Sequence, residues 1–412
     1  MMDKYDMRRP FFTKSLLLSS AGMFLDGYSL TVIAFAIILI NPYFHLSAIK
    51  SGLVIGSVVI GSIFGAVVVG YLGDLFGRKS VYVLNMALFV VFAVASSVSV
   101  NFIMLFLSRL IIGIAVGADY PLSNSYIAET APHGLRGKQL SFAALSFGFG
   151  SIFSALIAAA FFPFGGDMWR FMLGIGAIPA FIVMYFRMSL PESAMWIEIA
   201  KKKAGKRAKN KIYFNFNRMF SKAYIKNTVL YSLIWFLYDI GAYGVGLLIP
   251  LIFKETGVIS NVENALITSL ILLTGIISSV VGLLNIDKIG RKSIQIFGLA
   301  GMGASLFFIP HFYKSPTGLI SVIFFAEIFS SLASLTVGIF PAELSHTSFR
   351  SSAYGFSAMT GKLGAVCGVL LIAFFVKRGG YYGFYAVSAL LIIAFFLSFF
   401  LPETKNRRLD EI

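Results

Sequence analysis

The stretch RLIIGIAVGADYPLSNSYIAE, Arg109 to Glu129, sets the reading of the chain. It is apolar and glycine-bearing, yet it carries a basic residue at its start, Asp119 in its middle and then Tyr120 and Pro121. A carboxylate inside a segment of hydrocarbon length is costly unless it faces a polar interior, so Asp119 is a functional candidate. Asp26, Asp239 and Lys362 stand in the same position in three other apolar runs.

Working outward, 58% of the 412 residues are hydrophobic and only 13% are charged. A soluble domain carries about 25% charged residues, so the composition is that of a membrane protein. Forty-three Phe and 39 Gly agree, since glycine lets membrane helices approach closely. The net charge of +16 does not mark a nucleic-acid binder, because the basic residues fall in short gaps between apolar runs, where topology signals sit. The single cysteine, Cys367, lies inside an apolar run, which excludes a disulfide framework and a cysteine-rich metal site. The first apolar stretch, Leu16 to Ile40, exceeds a signal-peptide core and reads as a spanning helix.

Spanning helices need about 20 apolar residues. Twelve segments qualify, near residues 15–40, 50–72, 80–98, 101–125, 138–162, 168–188, 227–253, 262–284, 293–311, 315–341, 351–376 and 380–401. The chain divides into an N-terminal six-helix bundle over 1–188, a basic cytoplasmic linker over 189–226 and a C-terminal six-helix bundle with its tail over 227–412. Basic residues concentrate at the N-terminus, the even-to-odd gaps and the tail, with Lys377 and Arg378 the exception. That bias places a multi-pass protein in the cell membrane with both termini cytoplasmic. The linker, crowded with lysines from Lys201 to Lys222, reads as a solvated, inside-retained segment, with a helix lying along the anionic lipid headgroups of the inner leaflet as the alternative, and it is too short for a catalytic domain.

The halves repeat. GYLGDLFGRKS, Gly70 to Ser80, is echoed by GLLNIDKIGRKS, Gly282 to Ser293. Asp74 then matches Asp287, Arg78 matches Arg291 and Asp26 matches Asp239, all at an offset of 213. Glu129 and Arg136 match Glu343 and Arg350 at 214. Two halves on one plan imply a parallel duplication about an axis along the membrane normal, the arrangement of alternating-access carriers. The repeated acids and arginines at the inner helix ends are expected to pair with helix termini or neighbouring charges, as gating or structural contacts.

This pattern resembles the major facilitator superfamily over essentially the whole chain, and within it the proton-coupled phosphate symporters. GADYPLSNSYIAE, from Gly117, is similar to that branch's fourth-helix signature. FPAELSHTSFRSSAYGFSAMTGKLGAV, Phe340 to Val366, is similar to the signature of its tenth and eleventh helices. WFLYDIGAYG, from Trp235, and FLDGY, from Phe24, resemble its seventh and first helices. The resemblance implies an all-α membrane protein with the major facilitator fold, twelve transmembrane helices in two pseudo-symmetric bundles, that moves a small anionic solute with protons. It implies that Tyr120, Trp235, Asp239, Tyr243 and Lys362 line the substrate site, and that acids at the positions of Asp26 and Asp119 belong to the proton route.

The residues speak beside the resemblance. Trp235 and Tyr243 stand at i−4 and i+4 from Asp239, so an indole donor, a carboxylate and a phenol share one helix face. Lys362, about twelve residues into the eleventh span, is expected to face Asp239 across the central cavity as a member of the opposite half. Paired with a carboxylate or a bound anion it keeps its charge, and phosphate offers strong acceptors. A structural salt bridge from Lys362 to Asp239 or Asp119 is the alternative. Asp26, Asp119 and Asp239 are the candidate proton carriers, since no histidine falls at mid-membrane in this segmentation. Arg109 reads either as a gate contact or as a side chain snorkelling toward the interface.

Two positions depart from the resembled branch. Phe147 stands where its fifth helix supplies a glutamine to the substrate, and Ser29 replaces an acid after the first-helix tyrosine. Both leave room for an organic anion such as an aromatic acid, a carboxylate or a sugar phosphate, and a sugar is a further alternative. No nucleophile and base pair appears, so the chain does not read as an enzyme; no cofactor and no metal is expected, and it reads as a monomer.

Overall fold

The computed structural model describes residues 13–76, 78–130, 136–192, 219–222, 224–256, 259–345, 350–376 and 382–405. Among these residues it contains helices and turns and no strand. A bilayer offers backbone groups no water, so a spanning segment must satisfy its own hydrogen bonds, and runs this apolar do so as helices.

The chain clusters into two compact units, residues 1–45 with 57–209, and 46–56 with 210–412. The first contains α1 (Lys14–Phe44), most of α2 (Ala48–Phe76), α3 (Arg78–Ser97), α4 (Phe102–Thr130) and α5 (Arg136–Phe161). Its sixth span is broken into α6 (Met168–Gly174) and α7 (Ala177–Met188). The second contains α8 (Ile225–Gly246), α9 (Ile249–Thr256), α10 (Asn261–Ile289), α11 (Arg291–Phe312), α12 (Pro316–Val337), α13 (Ile339–Leu344), α14 (Arg350–Val376) and α15 (Tyr382–Ser398). Among the described residues, eleven helical stretches are long and apolar enough to cross a membrane, and the shorter apolar α15 takes the twelfth place. Short breaks after α6, α8 and α12 divide spans whose composition reads as continuous.

Glycine sets the tightest packing in each unit. A Cβ on Gly27 would strike the carbonyl of Phe147, and one on Gly150 the carbonyl of Phe24, so α1 and α5 meet backbone to backbone. In the second unit, Gly364 and Gly368 of α14 press in the same way on the carbonyls of Phe236 and Ile240 of α8. Small residues at such crossings let helices gain van der Waals contact where lipid provides no hydrophobic drive. In the second unit this crossing joins the helices that carry Asp239 and Lys362, and in the first it seats α1, which carries Asp26, on α5.

Candidate functional site

In the second unit, α8 and α14 bring four candidate residues together. Asp239 is buried, and the Trp235 indole one turn earlier donates to its carboxylate. Lys362 Nζ donates to the Tyr243 hydroxyl at 2.5 Å and lies 4.3 Å from the centroid of that ring. It is also close enough for its charge to act on Asp239. Gly361 makes this possible, because a Cβ there would meet the Trp235 indole nitrogen at 2.6 Å and Asp239 Oδ2 at 2.8 Å. Tyr354 packs edge-on against Trp235 with ring centroids 5.6 Å apart. The result is a carboxylate, an ammonium, a phenol and an indole in one polar cluster.

This corrects one expectation. Lys362 does not approach Asp239 from the opposite half: both belong to the second unit, on helices that pack directly together. The eleventh span follows the seventh within one bundle, and the glycines of α14 seat it on α8.

The first unit holds a different arrangement. Asp119 on α4 forms an ion pair with Arg187 on α7 at 2.6 Å, both side chains fully buried. Asn85 and Ser123 donate to the same carboxylate at 3.2 and 3.1 Å. Arg187 also donates to the Leu18 carbonyl at 3.1 Å and lies over the Tyr82 ring, 3.4 Å from its centroid. Tyr82 in turn shares hydrogen bonds with Ser19 and Ser123. Helix α1 passes this pair at Gly22, where a side chain would collide with both. Asp26 lies four residues on, along the same face, buried, with Oδ1 lacking a partner. Asp119 is therefore engaged through both oxygens, with Arg187 and not Lys362 as its basic partner, whereas Asp26 Oδ1 accepts no hydrogen bond.

Arg109 does not snorkel. It is fully buried and donates to the Ser29 carbonyl of α1, which ties α4 to the first helix. The cause is the position itself, because a helix face packed on α1 leaves no route to an interface. Phe147 on α5 is partly buried, and its carbonyl accepts from Ser151 at 3.3 Å. The side chains of Tyr120, Asp74, Arg78, Glu129, Arg136 and Arg350 lie outside the described residues.

At the end of α10 the second unit shows the expected charge contacts. Arg291 pairs with Asp287 at 2.7 Å and with Glu343 at 3.5 Å. Glu403 accepts the backbone N–H groups of Arg291 and Lys292 at 3.0 and 3.1 Å, and Thr404 donates to Glu343. In the first unit Glu192 accepts the N–H of Lys79 at 3.2 Å. A carboxylate at a helix N-terminus meets unpaired donors and the positive end of the dipole. Sequence reading missed this pair, although LPES at Leu190 and LPET at Leu401 repeat at an offset of 211.

Two buried or partly buried ionisable residues were also missed. Arg187 sits in the last turn of the sixth span, where a basic residue passes for a topology signal. Glu327 sits in the middle of α12, in FFAEIFSS, with no acidic echo in the first half.

The profile of the family described as "Sugar (and other) transporter" matches residues 14–412. The chain belongs to that family. The transporter is 27% identical to a protein from Oryza sativa subsp. japonica named putative inorganic phosphate transporter 1-13, over 97% of this chain and 90% of the relative. It is 29% identical to low affinity inorganic phosphate transporter 3 of Petunia hybrida, over 97% of this chain and 91% of that one. It is also 26% identical to the probable metabolite transport protein CsbC of Bacillus subtilis, over 95% and 91%. Its fold matches the crystal structure of a D-xylose-proton symporter with TM-score 0.79 and 23% identity, over 96% of this chain and 99% of that one. The transporter thus has the major facilitator fold, is a multi-pass membrane protein that moves a small solute, and is not an enzyme.

Proposed function

We propose that this transporter is a proton-coupled carrier of a small anion, inorganic phosphate first, working by alternating access between an N-terminal bundle (1–188) and a C-terminal bundle (227–412) joined by the basic linker. The observation that carries the reading is the cluster of Trp235, Asp239, Tyr243 and Lys362. An ammonium beside a carboxylate suits an anion that brings its own proton or meets one. With Asp239 protonated, the Lys362 charge and the Tyr243 and Trp235 donors are released to a phosphate oxygen. With Asp239 ionised, the carboxylate competes for those donors and repels the anion, which favours release. Relatives named as inorganic phosphate transporters support the same solute.

Asp26 and Asp239 are the proton carriers in this reading. Asp119 serves as the fixed charge that holds Arg187 next to Asp26. Each charge crossing the membrane gains about 2.3 kcal/mol per 100 mV, so coupled protons drive an anion against its gradient. Tyr120 is proposed to complete the site from the first bundle. Both termini are proposed to be cytoplasmic.

Phe147 favours a second reading. An aromatic ring in place of the branch's amide suits an organic anion, such as an aromatic acid or a sugar phosphate. Uptake into proteoliposomes under an imposed pH gradient separates the two, with labelled phosphate competed by sulfate, lactate, benzoate and glucose. Uptake of labelled phosphate that only unlabelled phosphate and arsenate compete supports the first reading; uptake of labelled benzoate or glucose with no uptake of phosphate overturns it. Asp239→Asn and Lys362→Ala are each expected to abolish gradient-driven uptake, and full uptake by either would remove the cluster from the site.

A further inference from the structure

Glu327 is an acid that the reading above leaves unused. It lies eleven residues into α12, about 16 Å along a helix of 22 residues, and so near the middle of its span. It lines a narrow cavity with Ser330 of its own helix, Gly241 and Ala242 of α8, and Met302 and Leu306 of α11. Its Oε1 accepts a hydrogen bond from Ser331 at 3.3 Å.

The space for this carboxyl is built into the neighbouring helix. A Cβ on Gly275 of α10 would sit 2.5 Å from Glu327 Oε1 and 2.7 Å from Ser331 Oγ. The internal repeat sharpens the point. At the offset of 214 that relates the fourth and tenth helices, Glu327 matches Gly113. In the first unit Gly61 and Gly113 meet backbone to backbone. The second unit puts an acid where the first has one glycine of that close crossing, and Gly275 of the facing helix makes room for it.

The helices around Glu327 supply it with little charge. The ionisable residues of α10 are Glu263, Asp287 and Lys288, all in its end turns, and those of α11 are Arg291, Lys292 and His311, again at its ends. Glu343 of α13 is engaged with Arg291 and Thr404. From α8 the nearby groups are Asp239 and Tyr238, whose hydroxyl donates to the Ser330 carbonyl at 3.0 Å. No basic side chain among the described residues pairs with Glu327. An isolated carboxylate at this depth is costly, while a neutral carboxylic acid with one hydroxyl neighbour is well accommodated. A sodium ion would need several oxygen ligands, and the side chains lining the cavity offer only the Glu327 carboxyl and the Ser330 hydroxyl.

We propose that Glu327 is a proton-binding site of the second bundle, taking up H+ as a neutral acid in the cavity between α8, α11 and α12, next to but separate from Asp239. Infrared spectroscopy of the purified full chain during a pH titration in sodium-free buffer reads protonated carboxyl groups directly. The expected result is a carboxylic C=O signal at neutral pH that is lost in Glu327→Gln, kept in Asp239→Asn and shifted in Glu327→Asp. Gly275→Ala, which leaves the acid in place but crowds it, is expected to shift the same signal. An unchanged set of signals in Glu327→Gln at every pH overturns the proposal. Loss of the signal on adding sodium chloride at fixed pH also overturns it, by making sodium the ligand. The spectrum does not depend on the transported solute, so a failure of phosphate uptake would count against the proposed function and leave this assignment standing.

Discussion

Arg187 decides how the charges inside the first bundle are shared. Its guanidinium takes both oxygens of Asp119, a backbone carbonyl and the face of Tyr82, so one acid is committed and Asp26 is left with Oδ1 unpartnered. Removing one member of a fully buried pair strands the other, at about 3–5 kcal/mol. Arg187→Ala is therefore expected to lower the melting temperature of the detergent-purified protein sharply, and Arg187→Gln with Asp119→Asn together should cost less than the sum of the single changes. A double variant as unstable as that sum would show that the two side chains act independently. Sequence reading found Asp119 because an acid in an apolar run is conspicuous. It did not find the partner, 68 residues away in the chain at a span end where a basic residue has a more ordinary meaning. Glu327 was equally visible as an acid in an apolar run, but having no acidic counterpart in the first half it fell outside the repeat that guided the search. Lys362 meets Asp239 as expected, yet from the same half and not the opposite one, since neighbourhood in a bundle follows packing and not chain distance.

At the scale of the helix, glycine against backbone is what seats α14 on α8 and α5 on α1. A side chain can rotate away from an intruding methyl group, but a carbonyl inside a helix cannot move without the whole helix moving. Gly364→Ala is expected to destabilise by about 1–3 kcal/mol, the range for overpacking, and to displace Lys362 from Tyr243. Thermal melting and phosphate uptake check it, and wild-type values in both would show that the crossing is looser than its geometry. The carboxylates at the starts of α3 and α11 act on the same scale. Glu403→Gln removes a charge but not the shape, and is expected to cost roughly 0.5–2 kcal/mol, the range for a lost helix cap. The helices themselves were legible because twenty-residue apolar runs have one structural answer in lipid. The breaks after α6, α8 and α12 were not, because each lies in sequence as apolar as its flanks. The repeated LPE triplets carry a cap that neither hydropathy nor helix period reports.

For the whole molecule, the offset of 213 to 214 that runs through the sequence reappears as matched contacts in the two units, most clearly where Gly150 and Gly364 each press on a carbonyl of their own unit's first helix. The halves then diverge where chemistry is carried. The first closes its central acid in an arginine network, and the second leaves Asp239 beside a lysine and adds Glu327. Each half also has its own clasp at a helix start, with Glu192 on Lys79 in one and Glu403 on Arg291 and Lys292 in the other. Neither fastening borrows a residue from the other half, so each is expected to form without the peptide chain that joins them. The chain can accordingly be cut between Glu192 and Met219 and made as two polypeptides in one cell. Each fragment should keep its own clasp, and recovery of transport on co-expression would show that the halves find each other without the covalent tether.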